Sequence, residues 1–164
     1  MPLTSPHHAK LDALYDLWCT LTPTSPPSSF EKFASFFDEH CRAWLVSMRE
    51  LEKPSIGREG VVAGIQESLK QQHIAERRVV DRFESADGSK VSVEMNNRLS
   101  VLGRELDPFP ETATVVFNEK GLITDFKLYC CRSAVVAIIQ DITGVGPYAT
   151  GSSSVSVPAS TKCH

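Results

Sequence analysis

Long hydrophobic runs are missing from this 164-residue chain. No stretch approaches the roughly 20 apolar residues that a membrane-spanning helix needs, so no element is expected to cross a bilayer. Met1 to Lys10 lacks a basic stretch followed by an apolar one, and no secretory leader is expected there. An excess of one charge is missing too: 17 Lys and Arg stand against 20 Asp and Glu, a net charge of −3. A domain that binds by neutralising phosphates needs a basic surplus, so neither nucleic acid nor an anionic membrane is an expected partner. Five cysteines (Cys19, Cys41, Cys130, Cys131, Cys163) make an odd count without paired spacing, the pattern of reduced thiols in a cytoplasmic protein. Cys130 and Cys131, adjacent on a strand, would point to opposite faces and not to each other. No repeat of about 20 to 50 residues is present, which disfavours a solenoid or propeller. No His, Cys and Asp cluster has a metal-ligand spacing, so no metal is expected.

What remains is an ordinary globular composition, 41% hydrophobic and 23% charged, in one domain's length of chain. Residues 1–6 are expected to be a flexible N-terminus, 7–146 a single domain and 147–164 a disordered Ser-rich tail. Ser5 followed by Pro6 predicts a helix start, and Leu11, Leu14, Tyr15, Trp18 and Leu21 form its apolar stripe. Pro23, Pro26 and Pro27 end it. Ser28 and Glu31 have capping-box spacing, and Phe30, Phe33 and Phe37 predict the apolar side of a second helix. Arg42 to Met48 reads as a strand. Pro54 and Ser55 open a third helix with Val61, Val62, Ile65 and Leu69 buried.

After Gln72 the pattern changes to strands. Arg78 to Phe83 and Val91 to Leu99 flank the turn dipeptide Asp87-Gly88. Pro108 and Pro110 are expected to break the chain before Thr112 to Phe117, and Lys120-Gly121 turns it into Leu122 to Cys131. Ala134 to Ile142 is ambiguous between strand and helix because β-branched residues dominate it. Helices followed by hairpins define an α+β domain with helices packed on a curved antiparallel sheet of four to six strands.

Three passages resemble the NTF2-like superfamily, and within it the SnoaL-like polyketide and meroterpenoid cyclases and isomerases of fungal type. They are FFDEHCRAWLV (36–46), PSIGREGVVAGIQESL (54–69) and FNEKGLITDFKLY (117–129). The resemblance implies a cone-shaped sheet with helices closing an apolar pocket over a hydrophobic polycyclic substrate. It implies proton chemistry without a cofactor, and a homodimer. The same fold hosts non-catalytic small-molecule binders and protein-interaction adaptors of the transport-factor type, so fold alone does not establish catalysis.

The relatives' acid/base residues on the last long strand are not matched: the same parity here reads Phe126, Leu128 and Cys130. Those three are expected to line the pocket, with Tyr15, Trp18, Trp44 and Met95. Acid/base work then falls to other walls. His40 matches a position leading into the first strand where relatives carry an acidic residue. Glu111 follows Pro108-Phe109-Pro110 as relatives' glutamate follows a similar stretch, and a carboxylate beside apolar neighbours becomes a usable acid. On Val91 to Leu99, strand alternation puts Val91, Val93, Met95, Asn97 and Leu99 on the inner face, so Asn97 either enters the pocket or ends the strand. If the register slips by one residue, Glu94, Asn96 and Arg98 become the catalytic wall instead of a solvated or dimer-facing ladder. The basic set Arg77, Arg78 and Arg82 reads as a sheet edge.

Overall fold

Proline placement sets the helical layer. In the computed structural model, which describes residues 5–47 and 53–148, helix α1 spans Pro6–Thr20. The Ser5 hydroxyl accepts from the His8 N–H at 3.3 Å, and Pro6 occupies the first turn, where a missing N–H costs nothing. Helix α2 is Pro27–Ala34, with Pro26 at its N-cap and no side-chain cap, so the Ser28/Glu31 capping box does not form. Phe30 and Phe33 face the core from it, whereas Phe37 already begins strand β1, Phe37–Trp44. The first strand thus starts five residues before the expected Arg42; Met48 lies outside the described residues.

Strand β2 is the pair Ser55–Ile56, hydrogen-bonded to β1, and helix α3 runs Gly57–Leu69. The helix starts at Gly57, not at Pro54-Ser55, because the chain must turn sharply off β2. Gly57 has φ +65°, and a Cβ there would meet the Glu39 carbonyl oxygen at 2.8 Å. The remaining strands are β3 Gln72–Glu76, β4 Val79–Glu84, β5 Lys90–Val101, β6 Arg104–Phe117 and β7 Ile123–Cys130. The Asp87-Gly88 turn joins β4 to β5, and Asn118 with Gly121 closes the β6–β7 turn. The ambiguous segment is helix α4, Ser133–Thr143, stopped by Gly144 at φ +73°.

The sheet order is β2-β1-β7-β6-β5-β3, with β4 also pairing β5. Seven strands, not four to six, are present. The sheet is mixed: β1 runs parallel to β7, and the other pairs are antiparallel. Pro108 and Pro110 do not break β6, and Pro110 pairs with Asn96. Pairing with β7 begins only at Glu111, so both prolines sit on a stretch whose second edge is unpaired, where a missing N–H is tolerated.

The strongly curved sheet and four helices form an α+β cone. Its interior is filled from α1, α2 and β7: Trp18 packs 5.4 Å from Phe33 and 6.0 Å from Phe126, ring centre to ring centre. Tyr148 is tied back to α4, its N–H donating to Gln140 Oε1 at 2.8 Å, so ordered contacts reach two residues past 146. No helix among the described residues is long and apolar enough to cross a membrane.

Candidate functional site

Strand register assembles the site. Met95, Glu111 and Cys130 stand side by side on β5, β6 and β7, on the concave face, and Asn97 lies one inward position along from Met95. The alternation of β5 therefore holds: Val91, Val93, Met95, Asn97 and Leu99 are all buried, and the slipped register is not adopted. Asn97 is 0% and Glu111 7% exposed. The Asn97 amide oxygen accepts from the Arg78 backbone N–H at 3.0 Å. That bond fixes which way the amide points, and its NH2 donates to Glu111 Oε1 at 2.5 Å.

Burial removes water from the Glu111 carboxyl and pushes its pKa up to about 7. The Asn97 hydrogen bond and the charges of Arg77 and Arg132 act the other way without overcoming it. Glu111 is thus a proton-transfer group at neutral pH inside the core. Tyr15 is fully buried beside it; desolvation first, then the Glu111 charge, hold the phenol well above its ordinary pKa.

Arg77 enters this interior, contrary to its reading as a sheet-edge residue. Its Nη1 donates to Asp12 at 2.7 Å, its Nε lies 3.4 Å from Met95 Sδ, and its guanidinium sits 4.4 Å above the Tyr15 ring. Asp12 also accepts from Arg82 at 3.0 Å.

Two spaces approach Glu111. The inner one, about 20 Å³, is lined by Trp18, Ile74, Leu99, Leu128, Gln72 and Glu111 and has room for about one water. The outer cleft, about 240 Å³, is walled by Val46, Gly64, Glu67, Gln72 and Arg132. Gln72 belongs to both, and accepts from Arg132 at 3.1 Å, so the cleft leads to the inner space. The expected wide apolar pocket is here a vestibule with a narrow throat, because Trp18, Tyr15 and Phe126 fill the cone.

The structure brings together Asn97, Glu111, Met95, Tyr15, Trp18, Leu128 and Cys130, with Phe126 in the aromatic cluster behind them. It does not bring His40, Glu94, Arg98 or Trp44. His40 is exposed on β1, its strand beginning earlier than expected. Glu94 is exposed on the outer face, and Arg98 pairs there with Glu76 and Glu105. Trp44 is half-buried on the same outer face, under Lys127 at 5.8 Å. Arg77, Asp12, Gln72 and Arg132 were not expected at the site. For Arg77 the one available signal was an acidic residue, Asp12, beside the apolar stripe of α1. Among the described residues no group of three or more His, Cys, Asp or Glu is placed to hold a metal ion.

This architecture is the NTF2-like fold. Solved structures that match it include a proposed polyketide cyclase from Xanthomonas campestris pv. campestris, at 15% identity and TM-score 0.63, over 80% of this chain and 94% of that one. A steroid delta-isomerase from Pseudomonas aeruginosa matches at 17% identity and TM-score 0.57, over 88% of this chain and 93% of that one. An NTF2-like protein of unknown function from Burkholderia pseudomallei matches at 16% identity and TM-score 0.63, over 83% and 98% of the two chains. No protein-family model and no curated protein matches the sequence.

Proposed function

We propose that this protein is an isomerase or cyclase that works without a cofactor on a hydrophobic carbonyl compound of the polyketide or meroterpenoid kind, with Glu111 as its proton carrier. The observation that carries this reading is a carboxyl 7% exposed, amide-bonded and poised to titrate at about pH 7 at the end of an access cleft. A general acid or base is most effective when its pKa lies near the working pH. As carboxylate, Glu111 takes a proton from the carbon next to the carbonyl; the C–H electron pair moves into the adjoining C–C bond and onto oxygen. As acid, it returns the proton to another carbon, completing an isomerisation or triggering ring closure. Asn97 is a positioning residue: locked by the Arg78 N–H, it holds one carboxyl oxygen and leaves the other for substrate. The neighbours' names, polyketide cyclase and steroid delta-isomerase, are consistent with such chemistry on apolar ring systems.

The test is deuterium exchange at the acidic C–H of 2-tetralone, a hydrophobic ketone, followed by NMR in D2O. Wild type accelerates exchange, and Glu111→Gln lowers the acceleration by about 10²- to 10⁴-fold while remaining folded. Because the base is the ionised form, exchange rises with pH through about 7 and then levels off. Exchange unchanged by Glu111→Gln removes the reading.

A second reading is favoured by the throat of about 20 Å³: the protein binds a small hydrophobic molecule without transforming it. Tight binding of 2-tetralone with no exchange by wild type selects that reading. In either case a homodimer through the outer face of the sheet is part of the proposal.

A further inference from the structure

Arg77 crosses into the core with nearly every group fixed. Nη1 is held by Asp12, Nε faces Met95 Sδ, and the guanidinium plane rests on the Tyr15 ring. Nη2 is buried, yet no described residue gives it an acceptor. Leaving such a donor unpaired costs about 1–3 kcal/mol, more when the group is charged. Its charge is also short of compensation. Asp12 is divided between Arg77 at 2.7 Å and Arg82 at 3.0 Å, so two guanidiniums share one carboxylate. Glu111 does not supply the missing charge by contact: its hydrogen bond comes from Asn97. Around this cation the walls are apolar, with Trp18, Ile74, Leu99 and Leu128 lining the neighbouring space.

We propose that the ligand of this interior carries an anionic oxygen, a carboxylate or an acidic enol, on an apolar body, and that Arg77 Nη2 is the donor that receives it. The proposal rests on the reading that ligands enter through the cleft to Glu111, and it names what those ligands carry. An apolar neutral compound fills the walls but leaves Nη2 without an acceptor. An anion supplies both the acceptor and the missing charge. The guanidinium is prepared for it, since Asp12 and the Tyr15 ring hold the plane before a ligand arrives, which lowers the ordering cost of binding. The interior can also be read as a Michaelis site for enolate formation, where the same donor holds the oxygen as charge develops on it.

The experiment is calorimetric titration of the full chain with three ring compounds: 2-naphthoate for the carboxylate, indane-1,3-dione for the acidic enol, and 2-naphthamide as the neutral control. One anion or both should bind about ten-fold or more tightly than the amide, as expected for a charge-assisted hydrogen bond. Which anion prevails separates carboxylate from enol. In Arg77→Gln that preference falls to about two-fold or less. Arg82 still satisfies Asp12 in that variant, and its folding is checked by thermal melting. Arg77→Lys is the second variant: it keeps a charge for Asp12 but not the planar fork, so it folds and loses the preference too. Equal binding of anions and amide, no binding of either anion, or a preference that survives in both variants overturns the proposal. Arg77-dependent anion binding without Glu111-dependent exchange keeps this inference and discards the proton-transfer reading. Glu111-dependent exchange with an unchanged preference in the Arg77 variants does the reverse.

Discussion

Glu111 is placed where function needs it and where stability does not. Its pKa in the fold is about 7, against an ordinary 4.5, so the folded state prefers the protonated carboxyl. The sign follows: its contribution is most favourable below about 4.5 and is lost as pH rises through about 7, leaving a penalty of about 3 kcal/mol above that range. His8 acts oppositely. Desolvation, then the Arg82 charge, lower its pKa below 6.5, so its contribution is lost as pH falls through that value. Comparing wild type with Glu111→Gln cancels His8 and isolates the carboxyl. The amide accepts the same Asn97 N–H and never ionises. Thermal melts should coincide near pH 4.5, and the variant should melt higher by roughly 6–12 °C at pH 8.5. Parallel curves across that range would show that Glu111 is not held neutral by the fold. The residue scale is also where the sequence was unevenly readable. Strand alternation put Asn97 inside, and Glu111 followed from its Pro-Phe-Pro neighbourhood. Arg77, Arg78 and Arg82 look alike in one dimension, because what draws Arg77 inward is Asp12, 65 residues away.

At the scale of elements, local chemistry was legible wherever the partner was local. Ser5-Pro6 starts α1, and Asp87-Gly88 and Lys120-Gly121 turn their hairpins, each through bonds within a few residues. Boundaries set by distant strands were not legible. Phe37 has helical spacing from Phe33 but joins β1 because Ile123 of β7 pairs with it. β6 passes through two prolines because β7 ends before reaching them. The β-branched residues of α4 fit a strand as well as a helix, and the amphipathic contact of Val135, Ile138 and Ile139 with the core decides for helix. The β2–α3 junction offers a test of such positional constraint. Gly57 and Gly103 both have φ above +60°, so Ala is strained at each; only at Gly57 does a Cβ also meet backbone, the Glu39 oxygen at 2.8 Å. Gly103→Ala should cost about 1 kcal/mol and Gly57→Ala about 3 kcal/mol or more in urea unfolding. Equal losses would mean that β1 gives way freely and does not fix the start of α3.

At the scale of the whole molecule, the concave face is spent on the core and the convex face is left outside. Its exposed apolar side chains are Val80, Phe83 and Tyr129, too many large groups on one sheet face for solvent alone. Charge on that face is arranged in a way that fits a second copy. Glu94 stands level with Thr112 on β6, and Lys127 stands level with Thr114, on the opposite side of β6. A twofold axis lying in the interface and crossing the line between them brings Glu94 of each copy onto Lys127 of the other, an isologous pairing. The six charges around Arg78 and Arg98 are already paired within the chain, Arg78 with Glu76 and Asp107 and Arg98 with Glu76 and Glu105, so they do not compete for it. The expected assembly is a homodimer by sedimentation at micromolar concentration. Glu94→Lys or Lys127→Glu alone sets like charges against each other and should shift the protein toward monomer, weakening association about ten-fold or more. The double swap restores attraction and should restore the dimer. Neither residue touches the Glu111 cavity, so ketone exchange per chain stays constant through the series. A wild type that sediments as a monomer, or single swaps that leave the dimer intact, would assign the exposed aromatic face to some other contact.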